Sequence, residues 1–129
     1  MARIIVVDDD KDTRDILRIL LQQNGHTVET ASNGTEGLQK IRSGQYDLVL
    51  LDIMMPDKDG YTLIQEMEGG KPPVKIPIII ISAHPKLKGI FNISKDTEIQ
   101  SFIGKPFNTE EVIEKVNGAL EKKQEDSKA

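Results

Sequence analysis

The sequence predicts a doubly wound α/β fold, a five-stranded parallel sheet with helices on both faces, and three observations carry that prediction. Short β-branched runs alternate with apolar residues at helical spacing from one end of the chain to the other. The run between Asp47 and Asp52 is apolar throughout, as a strand covered on both faces is. Glycine, asparagine and proline punctuate the joints.

Residues 3–8 (RIIVVD) form the first strand. Ile16, Leu17, Leu20 and Leu21 then repeat at helical spacing behind Asp, Lys and Thr, and Asn24-Gly25 closes that helix. Residues 26–31 (HTVETA) alternate polar and apolar as an edge strand does, and His26 reads as a helix-exit or edge-strand residue. Ser32-Asn33-Gly34 turns the chain into a weaker helix carrying Leu38 and Ile41. The third strand is 47–52 (DLVLLD), followed by a loop marked by Pro56 and Gly60 and by a helix with Leu63, Ile64 and Met67. Gly69-Gly70 and Pro72-Pro73 stop it before a fourth strand over 76–81, where Pro77 stands near the start. Pro85, Gly89 and Asn92 crowd the next segment, so its Leu87, Ile90 and Phe91 predict only a short or mobile fourth helix. A fifth strand covers 99–104, and the last helix starts at Asn108 with Val112, Ile113, Val116, Ala119 and Leu120 on one stripe. The chain therefore divides into one domain, 1–123, and a charged tail, 124–129. Five βα units of this length match the flavodoxin-like order 2-1-3-4-5.

Composition narrows the function. A chain of 129 residues with 37% hydrophobic content builds a core without staples, and with no cysteine it has neither a disulfide framework nor a thiolate metal site. The longest apolar runs hold four residues, far short of the ~20 that span a bilayer, and Met-Ala-Arg leads directly into a strand rather than a signal peptide. A cytoplasmic protein without membrane insertion is expected. A net charge of −4 repels a phosphate backbone, and no basic stripe offsets it, so direct nucleic-acid binding is not expected.

Parallel strands all point one way, so residues just past the apolar runs collect at one edge. There the first strand delivers Asp8 and Asp9, the third Asp52, the fourth Ser82 and the fifth Lys105. In the order 2-1-3-4-5 the first and third strands are neighbours at the switch point, which brings the three carboxylates into one crevice. Two carboxylates about 4 Å apart repel by roughly 4 kcal/mol at an effective dielectric of 20. A divalent cation reverses that balance, and an all-oxygen donor set suits Mg²⁺, with Mn²⁺ as a substitute. Asp9 and Asp52 are expected as direct ligands, Asp8 through water, and the main-chain carbonyl of Met54 as the remaining protein ligand. Asp52 is then placed to act as a nucleophile toward phosphorus, with the metal and the Lys105 ammonium around the transferring oxygens and Ser82 as a hydroxyl donor. Asp10, Asp12 and Asp15 read as helix-capping acids, and Asp57 and Asp59 as solvated turn residues.

Four strings carry a resemblance: VVDDD at 6–10, LLDIMMPDKDG at 50–60, ISA at 81–83 and GKPF at 104–107. Together, in order and at strand ends, they resemble bacterial response-regulator receiver domains of two-component systems, here a single-domain regulator. The resemblance implies Asp52 as phosphoacceptor and a sensor histidine kinase or histidine phosphotransferase as donor. It implies a switch in which Ser82 moves toward the phosphoryl group and Phe102 turns inward, reshaping the surface of the fourth helix, fifth strand and fifth helix for an unknown downstream protein. It also implies a cis peptide at Lys105-Pro106 and places Met54 and His84 where the phosphoryl lifetime is tuned. Such a domain is no enzyme toward other substrates and catalyses only its own phosphorylation and dephosphorylation. The segment SKDTE at 94–98 departs from the family by lacking a small-residue turn.

Three other readings compete. A pseudo-receiver would hold a partner constitutively with little or no phosphorylation, and the full acid set with Ser82 and Lys105 speaks against it. A magnesium hydrolase of the haloacid-dehalogenase kind wants an Asp two residues past the nucleophile, where this chain has Met54. A flavodoxin needs a Ser/Thr/Gly phosphate cradle after the first strand, where this chain is acidic.

Overall fold

The computed structural model describes residues 2–83 and 99–128, with side chains to residue 121. Its elements run β1 (Arg3–Val7), α1 (Lys11–Gln23), β2 (Thr27–Ala31), α2 (Gly34–Ser43), β3 (Leu48–Leu51), α3 (Gly60–Glu68), β4 (Ile78–Ser82), β5 (Ile99–Gly104) and α4 (Thr109–Lys128). The strands form one sheet in the order β2-β1-β3-β4-β5, every pair parallel, as the alternating periods predict. The fourth helix expected after β4 lies outside the described residues, as does His84; α4 is the chain's last helix.

Side chains of successive strand residues point to opposite faces, and this splits the core in two. Ile5, Val7, Val49, Leu51, Ile78 and Ile80 pack on one face with Ile41 of α2 and Leu63, Ile64 and Met67 of α3. Ile4, Val6, Leu48, Leu50, Ile79, Ile81 and Ile103 pack on the other, with Leu17 and Leu21 of α1 and Val112, Val116 and Ala119 of α4. Every residue of β3 and β4 is buried, whereas β2 at the edge keeps Thr27 exposed.

Short polar side chains start the helices. Asp10 caps α1 by accepting from Asp12 N, Asn33 caps α2 by accepting from Glu36 N, and Asp59 caps α3 by accepting from Thr62 N. Gly25, at φ 91, takes the left-handed conformation that ends α1.

Most strand bounds shift by one residue at an end, and two elements differ from expectation by more. β4 starts at Ile78 rather than 76, because Pro77 has no N–H for the ladder; its carbonyl accepts from Val49 N at 3.0 Å instead. Helix α4 runs to Lys128, through the segment the sequence assigns to a charged tail. Glu, Lys and Gln are strong helix formers, so polarity there does not mean an end to the helix.

Candidate metal centre

The acidic cluster is a product of register. Val7 and Leu51 are partners in the β1–β3 ladder, so the residues that follow them, Asp8 and Asp52, leave the sheet side by side. Asp52 N donates to Val7 O at 2.9 Å and Asp8 N to Ala31 O at 3.1 Å, which fixes both backbones beyond the last strand residue. Asp8 and Asp52 are buried, at 2% and 5% exposure, while Asp9 faces solvent. Each of the three offers a carboxylate oxygen within 4.8 Å of the other two.

Lys105 enters from the end of β5. Its backbone N–H donates to Ser82 O at 2.9 Å, continuing the β4–β5 pairing, and its Nζ lies 2.8 Å from Asp8 Oδ2 and 3.2 Å from Asp52 Oδ2. The remaining oxygens are held locally: Asp10 N donates to Asp8 Oδ1 and Met54 N to Asp52 Oδ1, both at 2.9 Å. Burial pushes the Asp8 carboxyl above the ordinary aspartate range, against the pull of the Lys105 ammonium. Burial alone would lower the Lys105 amine, but the hydrogen bonds and charges of Asp8 and Asp52 hold it above the usual lysine value.

Three carboxylates and one ammonium leave two negative charges at the site. This oxygen-only donor set, with one acid open to solvent and two buried, fits a hard divalent cation such as Mg²⁺, which keeps several waters. The Met54 side chain is about half exposed, at 53%, on the loop beside the site. Ser82 ends β4 fully buried, in register with Gly104 next to Lys105. The Lys105-Pro106 peptide is cis. Phe102, paired with Ile80, is partly buried against the α2/α3 face of the core and is not part of the acidic cluster.

Two residues make contacts near here that sequence reasoning did not foresee. Arg14 on α1 donates from Nη1 to Asp8 O at 2.7 Å, bracing the acidic loop. Asp57 is an exposed loop residue, as expected, and its carboxylate also bonds to the start of α2. Arg14 is six residues past Asp8, on the first helix, and helical placement alone could have suggested it; Asp57 carried no such signal.

A family model for the response regulator receiver domain matches residues 4–117. The chain belongs to that family, the receiver domains of two-component response regulators. Among curated proteins it is similar to the transcriptional regulatory protein DltR of Streptococcus agalactiae, 34% identical over 119 residues covering 88% of this chain and 50% of that one. It is likewise similar to the response regulator MprA of Mycobacterium ulcerans, 34% identical over 99% of this chain and 54% of that one. The chain thus spans about half the length of the curated relatives it matches. Among solved structures it resembles the response regulator TrrA of Thermotoga maritima in complex with Mg²⁺-BeF, at 38% identity and TM-score 0.79 over 93% of this chain and all 100% of that one. A CheY-like receiver domain of Methanospirillum hungatei matches at 29% identity and TM-score 0.86 over 98% of both chains. No helix among the described residues of this receiver domain is long and apolar enough to cross a membrane.

Proposed function

We propose that this receiver domain is a Mg²⁺-dependent phosphoacceptor switch in which Asp52 takes a phosphoryl group from a phosphohistidine on a sensor histidine kinase or histidine phosphotransferase. The observation that carries the reading is the Lys105 ammonium shared by Asp8 and Asp52, beside the exposed carboxylate of Asp9. A structural acid cluster would repel itself with nothing gained. Here one fixed cation is built in, and the charge left over suits a second, exchangeable one.

Asp9, Asp52 and the Met54 carbonyl would hold the metal, with Asp8 acting through water; the ion supplies positive charge to the oxygens of the transferring group. A carboxylate oxygen of Asp52 forms the bond to phosphorus as the phosphorus–nitrogen bond to the donor histidine breaks, leaving an acyl phosphate and a free imidazole. Lys105 pairs with one phosphoryl oxygen, and the Ser82 hydroxyl donates to another. The new charge and acceptor oxygens favour the loop arrangement that satisfies them, which moves Ser82 and Phe102 and alters the face presented to a downstream protein. By the family resemblance, Met54 and His84 stand at the sequence positions that tune the phosphoryl lifetime. The domain acts on no substrate but itself, and it works in the cytoplasm.

Incubation with acetyl phosphate and Mg²⁺ tests the reading by mass spectrometry. The expected result is the added mass of one phosphoryl group, absent without Mg²⁺ and absent in Asp52→Asn. A wild-type chain that gains no mass would overturn the proposal and favour a pseudo-receiver that binds its partner unphosphorylated.

A further inference from the structure

Asp57 lies five residues beyond Asp52, in the loop between β3 and α3. Its carboxylate reaches a different element: Oδ1 accepts from Gly34 N at 3.1 Å, and Oδ2 accepts from Thr35 N at 3.1 Å and from Thr35 Oγ1 at 3.0 Å. The two backbone donors belong to the first turn of α2, where N–H groups have no partner within the helix and the helix dipole favours a negative charge. Local desolvation against α2 would raise the pKa of this exposed carboxyl, yet these bonds outweigh it and hold it below the usual aspartate range.

A second, independent contact joins the same two segments. A Cβ on Gly34 would stand 2.7 Å from Lys58 Cβ and 3.0 Å from Lys58 O, so the loop runs against the start of α2 at van der Waals distance. The other end of the loop is tied back to the site, with Met54 N on Asp52 Oδ1 at 2.9 Å and Gly60 N on Ile53 O at 3.1 Å. Met54 therefore lies between two anchors, two residues past Asp52 and three before Asp57.

We infer that Asp57 is a positioning residue for the metal site: by clamping the β3–α3 loop onto α2 it fixes the path of 53–57, and with it the Met54 carbonyl. The inference rests on the reading above, in which that carbonyl is a metal ligand. Asp57 touches neither metal nor phosphoryl group. It acts through the backbone, as partners that orient a ligand do, and such partners typically alter metal affinity by roughly 10-fold or more when removed.

The test is a Mg²⁺ titration of the full chain followed by backbone NMR, on wild type, Asp57→Ala, Asp57→Asn and Thr35→Val. Asp57→Ala is expected to weaken Mg²⁺ binding roughly 10-fold, with Asp57→Asn intermediate because one carbonyl oxygen can still accept. The phosphorylation rate that Asp57→Ala loses at low Mg²⁺ should return as Mg²⁺ is raised. Thr35→Val removes one of three bonds and leaves the backbone donors, so it serves if Asp57→Ala fails to fold; it should weaken binding about two-fold, the effect of one modest hydrogen bond on a shared carboxylate. Mg²⁺ affinity equal to wild type in folded Asp57→Ala, or in Thr35→Val where that is the variant that folds, would overturn the inference. A wild-type chain that binds no Mg²⁺ would overturn the parent reading and this one together, and is read from the first titration alone.

Discussion

At the scale of single residues, the site depends on one amine serving two buried acids. Replacing Lys105 by Met keeps the length of the side chain but leaves Asp8 and Asp52 facing each other without a counter-charge. Breaking a buried pair in this way costs roughly 3 kcal/mol, so the urea midpoint of Lys105→Met in the presence of chelator should fall well below wild type. An unchanged midpoint would mean that the pair contributes nothing to the fold. The two tyrosines give a separate check at high pH. Burial and the 2.6 Å hydrogen bond to Glu29 push the Tyr46 phenol up to about 12, and burial with the charge of Asp59 pushes Tyr61 up to about 12. Folded-state values raised above the unfolded one mean that the stability they bring is whole below about pH 10 and is lost as pH climbs toward 12. Absorbance titration should show no phenolate step near pH 10 while the protein stays folded; such a step with the circular dichroism intact would contradict the packing of both rings.

The secondary-structure elements show what a sequence can tell and where it stops. Strand ends were readable because unbroken apolar runs stop abruptly at Asp8 and Asp52, and parallel topology then gathers whatever comes next. Asp57 was not, because its partners are 22 and 23 residues away and an Asp between Pro56 and Lys58 in a loop has the same local appearance whether or not it bonds to another element. The end of α4 escaped for a different reason: charge marks exposure, and an exposed stretch of good helix formers continues the helix unless something breaks it. Gly60 shows a constraint of space that also needs the fold to be seen. Its backbone is not left-handed, yet a Cβ there would meet Ile53 Cγ2 at 2.7 Å and Ile53 Cα at 2.8 Å. Backbone cannot swing aside as a side chain can, so Gly60→Ala should destabilise the domain by about 2 kcal/mol. Thermal unfolding would measure this, and a neutral effect would show that the start of α3 has slack.

For the whole molecule, the two-sided core explains how a crowded acidic edge is tolerated. Both faces of the sheet are sealed by helices, so the repulsion at its carboxyl end is carried by a fold that does not depend on that edge for its packing. A ligand that binds only the folded state then adds its binding free energy to stability. Mg²⁺ at a hundredfold excess over its dissociation constant should contribute about 2.7 kcal/mol, a rise of several degrees in Tm by calorimetry. Asp9→Asn should abolish the rise while keeping or raising the metal-free Tm, since Asp9 is exposed and its charge adds to the repulsion within the cluster. The most direct measurement of the central claim is paramagnetic broadening of backbone amide signals by substoichiometric Mn²⁺. Broadening centred on Asp8, Asp9, Asp52 and Met54, and displaced by excess Mg²⁺, is the predicted result. Broadening scattered over surface carboxylates, or centred elsewhere, would contradict it.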